Sequence, residues 1–522
     1  MKKFINKKHI IIFTFVIIIT NIFVLAVQFL KGDLLDSAIE DGNNQTLFLG
    51  VALLVAIILE IVFTYFSFII ENTIITSSMK NLKQRLFEKI TSLKYRFFNS
   101  PSSYVAKYTN ELSIIENRYF RSITLLTTLL LKVLFVSAAL FWLNWQLAII
   151  TLLLLTMPLY VPKLAEKNLK IKQNIYLQSN NKFLGFISDM FKGFEIIKNY
   201  NIEHIVRKNF NKNNDATTED YKNNLNKQSQ VRTISMLMSY FSHFIVVAYS
   251  IFLVYKGVFS VGELFIAIGL VDQLSYPIIA TSGCIQNIIS TKSITDDLNE
   301  YLKNIPELPD FDNQKLENQI SFDGVYFSHD DKQLIEDFSL EIKKNGRYLI
   351  QGDSGSGKTT LINLLLQYHD LHDGHIYVDD TQIEDIDNIF SYVGLSRQDN
   401  IIFEDSVRNN LTLYKDINDS QLIRVMNKVG LEKYANKKSL DFLIGQNGFT
   451  LSGGEEKRVS IARALLHKKS VLILDEPLAN LDIENVRKIE NLILNMEDIT
   501  LIVISHIISD GNKVKFDKVI SM

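Results

Sequence analysis

Six long apolar runs crowd the first 290 positions, and they decide what kind of chain this can be. They lie at about residues 10–30, 47–70, 123–143, 147–161, 234–255 and 264–289. A transmembrane helix needs ~20 mostly apolar residues. A buried-core reading could absorb one or two such runs, not six. The fourth is short and is expected to continue past Pro162. Hydrophobic residues make up an ordinary 47% of the 522, so it is their placement that carries the signal. From Ile320 onward the pattern changes to short β-type runs alternating with helices, as in a soluble α/β protein. Gly (22) and Pro (7) are too sparse for a flexible linker between the halves.

Orientation follows from Lys and Arg placement. The basic start (Lys2, Lys3, Lys7, Lys8) precedes an apolar run with no small-residue cleavage site, the pattern of a retained first membrane helix with a cytoplasmic N-terminus. The first outer loop, 32–45, carries Asp33, Asp36, Glu40 and Asp41 and neither Lys nor Arg. Trp142 and Trp145 flank the turn between the third and fourth runs and suit a membrane interface. The lysine-rich stretches 79–121 and 163–232 read as helices projecting into the cytoplasm, broken once each, at 97–103 and around Gly193. An even number of crossings returns the chain to the cytoplasm before Asn304.

Three ionisable residues fall inside the runs: Glu60, Lys132 and Asp272. A charge near the bilayer centre needs a partner or a wet cavity. One reading pairs Lys132 with Glu60 or Asp272; the other has Asp272, just before Pro277, lining a path for cationic substrates.

In the second half, the strand-like Tyr348, Leu349, Ile350 and Gln351 run into Gly352, Asp353, Ser354, Gly355, Ser356, Gly357, Lys358 and Thr359. Strand, glycine-rich turn and helix in that order form a P-loop. Its backbone N–H groups close on phosphate oxygens at a helix N-terminus, where the dipole favours anions. Lys358 adds a point charge at the β/γ-phosphates, Thr359 offers a hydroxyl to Mg²⁺, and Thr360 continues the helix. A second strand, 471–474, ends in Asp475 and Glu476. Asp475 is placed to hold Mg²⁺ and Glu476 to polarise an attacking water. Two surface acids at a strand end is the blander reading, and the P-loop's need for a metal-binding acid weakens it. Net charge is −2, from 55 basic and 57 acidic residues, which excludes a bulk basic field for nucleic acid. One cysteine, Cys284, excludes an intrachain disulfide framework or a Cys-cluster metal site.

Between these motifs lie Leu451, Ser452, Gly453, Gly454 and Glu455. With the P-loop and the fused membrane runs, they make the chain resemble an exporter-type ABC transporter over nearly its whole length. The resemblance implies a six-helix α-helical transmembrane domain at 1–303 and an α/β P-loop ATPase domain at 304–522. It implies that Ser452, Gly453 and Gly454 form the signature that meets ATP bound to another chain. Gln398 resembles the Q-loop glutamine that senses Mg²⁺, and Asp482 lies in a D-loop. His506 resembles the switch histidine at the γ-phosphate. Residues 444–448 resemble the X-loop, and the turns near 99–103 and 193–201 the coupling helices. His329 stands where the adenine-stacking tyrosine is usual, and Tyr326 is the displaced alternative. Glu455 replaces the usual glutamine, and residue 522 falls short of the family's usual C-terminal extension.

One P-loop and one signature per chain imply a homodimer, or a heterodimer with a related half-transporter, in the cell membrane and in contact with its lipid. The expected activity is ATP-driven, Mg²⁺-dependent export of a peptide or a hydrophobic small molecule. A regulatory half-subunit that binds ATP without turnover, and a lipid translocase, are the alternatives.

Overall fold

The computed structural model describes residues 1–40, 43–98, 100–305, 313–329, 332–353, 355–397, 400–445, 450–479, 483–506 and 508–522. These form two compact units, Met1–Thr91 with Asn99–Ile305, and Ser92–Phe98 with Pro306–Met522.

The first unit is helical. Its elements are α1 (Lys7–Ile39), α2 (Asn43–Thr91), α3 (Pro101–Leu143), α4 (Trp145–Thr156), α5 (Tyr160–Lys192), α6 (Phe194–Asn199), α7 (Glu203–Tyr255), α8 (Val261–Ser290) and α9 (Lys292–Tyr301). Among the described residues, α1, α2, α3, α7 and α8 are long and apolar enough to cross a membrane. The fourth apolar run is in two pieces: α4 has only 12 residues, and a 3-10 turn over Met157–Leu159, with Pro158 near its start, leads into α5. Proline lacks the N–H that a continuous helix would need there.

Helix starts follow the sequence closely. Asn144 accepts from Leu147 N at 2.9 Å at the head of α4, and Ser260 and Glu263 form a capping box on α8. The stretch read as an acidic outer loop is mostly helix, because α1 runs on to Ile39. There Asp36 turns inward. Its carboxylate accepts from Gly262 N at 2.7 Å and from the Ser260 hydroxyl at 2.5 Å, holding the negative charge at the N-terminal end of α8. The two helices can approach so closely because Gly32 and Gly262 face each other; a Cβ on Gly262 would sit 2.3 Å from Gly32 O.

Two apolar clusters hold this unit. One joins Phe13, Ile17, Leu82, Leu86, Ile115 and Phe120; the other joins Val136, Leu140, Leu147, Val246, Leu270 and Leu274. Of the two candidate partners for Lys132, the structure keeps Glu60 and not Asp272. The Lys132 ammonium feels the Glu60 carboxylate, whereas Asp272 reaches His243 on α7, at 3.5 Å, and not Lys132.

The second unit is α/β. Strands β1 (Gln319–His329), β2 (Lys332–Lys343), β4 (Asp373–Val378) and β5 (Thr381–Gln382) make an antiparallel sheet in the order β2-β1-β4-β5. Strands β3 (Arg347–Gln351), β6 (Val393–Ser396), β7 (Val471–Asp475), β8 (Thr500–Ile504) and β9 (Lys518–Ser521) make a parallel sheet in the order β6-β7-β8-β3-β9. Strands β7 and β8 are buried at every residue, as a parallel sheet covered on both faces requires. Helices α10 (Lys358–Leu365), α11 (Gly453–Leu466) and α12 (Ile483–Leu494) follow β3, precede β7 and follow β7 respectively.

Candidate nucleotide site

Because the parallel strands run in register, their carboxyl ends lie side by side, and the edge they form is where an open α/β sheet holds its ligand. β3 delivers the 352–359 turn, β8 delivers Ser505 and His506, β7 delivers Asp475 and Glu476, and β6 delivers Arg397. The order β6-β7-β8-β3 therefore sets four separate chain segments along one edge.

Gly357 is the N-cap of α10 with φ 98°, a left-handed conformation natural to glycine. A Cβ there would also press on Leu334 O at 2.9 Å. Lys358 is buried and folds back over the turn, donating to Gly352 O at 2.8 Å and to Asp353 O at 2.7 Å. Thr359 is exposed at the start of α10. Ser354 lies outside the described residues.

Across the edge, the Glu476 carboxylate and His506 Nε2 are 3.0 Å apart. Glu476 takes φ 48°, a left-handed backbone for a non-glycine residue, of the kind that costs on the order of 1–3 kcal/mol and needs support from its surroundings. That support is visible. Glu476 N donates to Ile504 O at 2.9 Å, while the buried Lys457 ammonium donates to Glu476 O at 2.8 Å and to Ala479 O at 2.9 Å. Asp475 is 7% exposed. Burial pushes its carboxyl above the usual range, with Glu476 adding to that push, against the pull of Arg397 and Lys358.

The signature segment heads α11, and its helix start is a capping box between Ser452 and Glu455. Gln398, Asp482 and the X-loop's 446–448 lie outside the described residues, as does the side chain of His329, whose backbone ends β1. Its neighbour Phe327 is in the core between the His369 and His372 rings, at 5.4 and 5.0 Å. Tyr326 is half-buried on the other face of the strand, opposite Asp373 of β4.

Three participants escape sequence reasoning. Lys457 is one. The others are Tyr368 and Arg397: the Arg397 guanidinium lies 5.0 Å over the Tyr368 ring and donates to Asn363 Oδ1 at 3.0 Å. Tyr368 also stacks on Tyr95, ring centroids 3.8 Å apart, from the segment just after α2. No motif spacing links residues 95, 368 and 397.

Residues 10–278 match the family described as ABC transporter transmembrane region, and residues 335–479 match ABC transporter. The chain belongs to the ABC transporter family. An ATP-dependent lipid A-core flippase of Aromatoleum aromaticum is 28% identical over 447 residues, which are 82% of this chain and 73% of that one. A multidrug resistance-like ATP-binding protein, MdlB, of Buchnera aphidicola is 26% identical over 483 residues, 87% of this chain and 80% of that protein. The fold is shared with a bacterial Atm1-family ABC exporter solved with ATP bound, at a TM-score of 0.77 and 20% identity, over 99% of this chain and 93% of the other. This ABC transporter is thus a multi-pass membrane protein of the exporter type, with one ATP-binding domain per chain, whose ATPase activity is coupled to transport. Half-transporters of this kind typically dimerise.

Proposed function

We propose that this ABC transporter exports a hydrophobic small molecule or a peptide from the cytoplasm by binding and hydrolysing Mg-ATP between two chains. The observation that carries the hydrolytic part is the Glu476–His506 pair, set beside Asp475 and Lys358 along one sheet edge. In this reading the domains divide at 303/304. The N-terminus and ATPase domain are cytoplasmic, and the partner is a second copy or a related half-transporter.

Backbone N–H groups of 352–360 and the Lys358 ammonium hold the phosphates. Asp475 and Thr359 suit a divalent cation: a buried carboxyl held above its usual range gains most from an adjacent positive charge, and the exposed threonine hydroxyl is a hard oxygen donor. Bound there with Gln398, Mg²⁺ would neutralise charge on the β- and γ-phosphates. Glu476 accepts the proton of the attacking water, and His506 orients that carboxylate and meets the γ-phosphate. Ser452, Gly453 and Gly454 of one chain close over ATP on the other, with Asp482 between them, and His329 lies beside adenine.

The relatives' names, lipid A-core flippase and multidrug resistance-like protein, support an amphiphilic substrate and favour neither a lipid nor a drug. The test is the reconstituted protein. Mg²⁺-dependent phosphate release, with ATP-dependent uptake of a fluorescent amphiphile into inside-out vesicles, supports export. ATP binding without phosphate release would establish a regulatory half-subunit.

A further inference from the structure

Asp272 lies in the twelfth position of α8, and His243 lies twelve residues before the end of α7. At 1.5 Å per residue, each is about 17–18 Å from the turn that joins the two helices. Both therefore sit near the middle of a hydrocarbon layer about 30 Å thick. The Asp272 side chain is nonetheless 64% exposed on this chain, against 29% for His243.

A carboxylate at that depth does not face hydrocarbon; its open side meets water, a bound cation or another polar group. Its one polar contact among the described residues is His243 Nδ1 at 3.5 Å, long for a hydrogen bond. A carboxylate has about four acceptor positions, so most of this one's capacity is unused. Aromatic surface lies on the same side of α8. Tyr276, one turn on, is 66% exposed, and Phe265, two turns back, is 51% exposed. A negative group flanked by aromatic faces is the arrangement that holds hydrophobic cations.

We propose that Asp272 is the anionic centre of a binding site for hydrophobic organic monocations within the membrane domain. The cation takes the place that His243 holds beside the carboxylate, with Tyr276 and Phe265 against its apolar groups. This deepens the export reading by naming the substrate class, and it rests on that reading only for the step from binding to transport.

The experiment uses the full-length protein in lipid nanodiscs, with empty nanodiscs as blank, titrated with tetraphenylphosphonium and, as a neutral amphiphile, with Nile red. Saturable tetraphenylphosphonium binding that weakens about tenfold or more in Asp272→Asn is the expected result, with Asp272→Glu within about threefold of the unmodified protein. His243→Gln binds at least as tightly, because the competing group is gone, and Nile red binding moves in none of the variants. The site is overturned if the unmodified protein shows no saturable binding, or if Asp272→Asn binds the cation unchanged. Should Asp272→Asn fail to fold, His243→Gln decides: loss of binding there makes the pair a structural contact and overturns the proposal. Phosphate release measured alongside separates the two readings. Binding at Asp272 without stimulated hydrolysis or uptake sinks export and leaves the site standing. Stimulation that persists in Asp272→Asn sinks the site and leaves export standing.

Discussion

Ser452 and Glu455 close on each other at the head of the signature helix: Ser452 N donates to Glu455 Oε2 at 2.8 Å, and Glu455 N donates to Ser452 Oγ at 3.3 Å. The Ser452 hydroxyl also donates to the same carboxylate at 3.0 Å, and Tyr434 donates to its other oxygen at 3.1 Å. The glutamate that replaces the family's usual glutamine is thus a cap on its own helix. Its charge is tied up by donors at the end of the helix where negative charge is favoured.

Glu455→Gln should keep the box, with a neutral acceptor, and cost about 0.5–1 kcal/mol; Glu455→Ala should cost about 1–2 kcal/mol. Burial pushes the Glu455 carboxyl up, but the hydrogen bonds from Ser452 and Tyr434 and the nearby Lys433 outweigh it, leaving the group below its ordinary 4.5. A folded value below the unfolded one gives stability that is present above about pH 4.5 and lost as pH falls through the folded value. Thermal unfolding of the two proteins against pH checks this. The gap between wild type and Glu455→Gln should shrink as pH falls below 4.5, and a pH-independent gap would refute the charge-based cap.

The overall architecture was legible because its signals are local or periodic. Apolar runs long enough to span a membrane mark α1, α2, α3, α7 and α8, and the glycine-rich turn marks the start of α10. What stayed hidden depends on contacts between distant segments. Nothing in the sequence places Lys457 under Glu476, because the two belong to different elements joined only through the fold. Asp36 read as a loop residue because its polar character outweighed the helical pattern of α1; its role as a cap on α8 exists only once the two helices pack. Asp272 and Lys132 were equally open to pairing by charge alone, and the α7–α8 hairpin brings His243 to Asp272 instead.

Glu476→Gln should abolish turnover and leave ATP binding intact, because in the proposed mechanism the carboxylate accepts a proton and does not hold phosphate. Loss of a general base typically costs ~10²–10⁴-fold in rate. The amide of the variant retains an oxygen that can accept from His506 across the 3.0 Å now spanned, so the fold should be undisturbed. Single-turnover phosphate release and nucleotide binding on the purified variant separate the two effects. Hydrolysis near the wild-type rate would remove Glu476 from the mechanism.

Asp475→Asn should move stability and activity in opposite directions. With its folded value raised above its ordinary 3.8, chiefly by burial, the folded protein holds the extra proton over that window, and stability falls as pH rises through it. At neutral pH the ionised side chain is therefore a cost, which asparagine removes. The nucleotide-free variant should melt at a higher temperature than wild type. Its Mg²⁺-dependent ATPase should drop by about a hundredfold or more, since charge stabilisation by a metal contributes several kcal/mol. A lower melting temperature would mean that the carboxylate is held by something other than a site for a cation.

Tyr95 lies in the segment that follows α2 directly, its ring stacks on Tyr368 at 3.8 Å, and the Arg397 guanidinium lies 5.0 Å from the centre of the Tyr368 ring. Arg397 also pulls on the Asp475 carboxyl, so within the second unit a chain of contacts leads from Tyr95 to the acid proposed to hold the metal. An aromatic pair of this kind contributes about 0.5–1.5 kcal/mol beyond its buried area. Breaking it should therefore reduce the coupling of substrate binding to hydrolysis by roughly two- to tenfold while leaving the P-loop untouched. Tyr95→Ala and Tyr368→Leu should each lower substrate-stimulated ATPase by that factor, with the KM for ATP unchanged. The double variant should be no worse than either single one, because both remove the same contact. Arg96 provides the control: its ion pair with Asp370 at 2.5 Å is exposed, so Arg96→Ala should change stimulation by less than about twofold. If Tyr95→Ala and Tyr368→Leu instead add independently, the stack transmits nothing, and each ring acts only through its own packing.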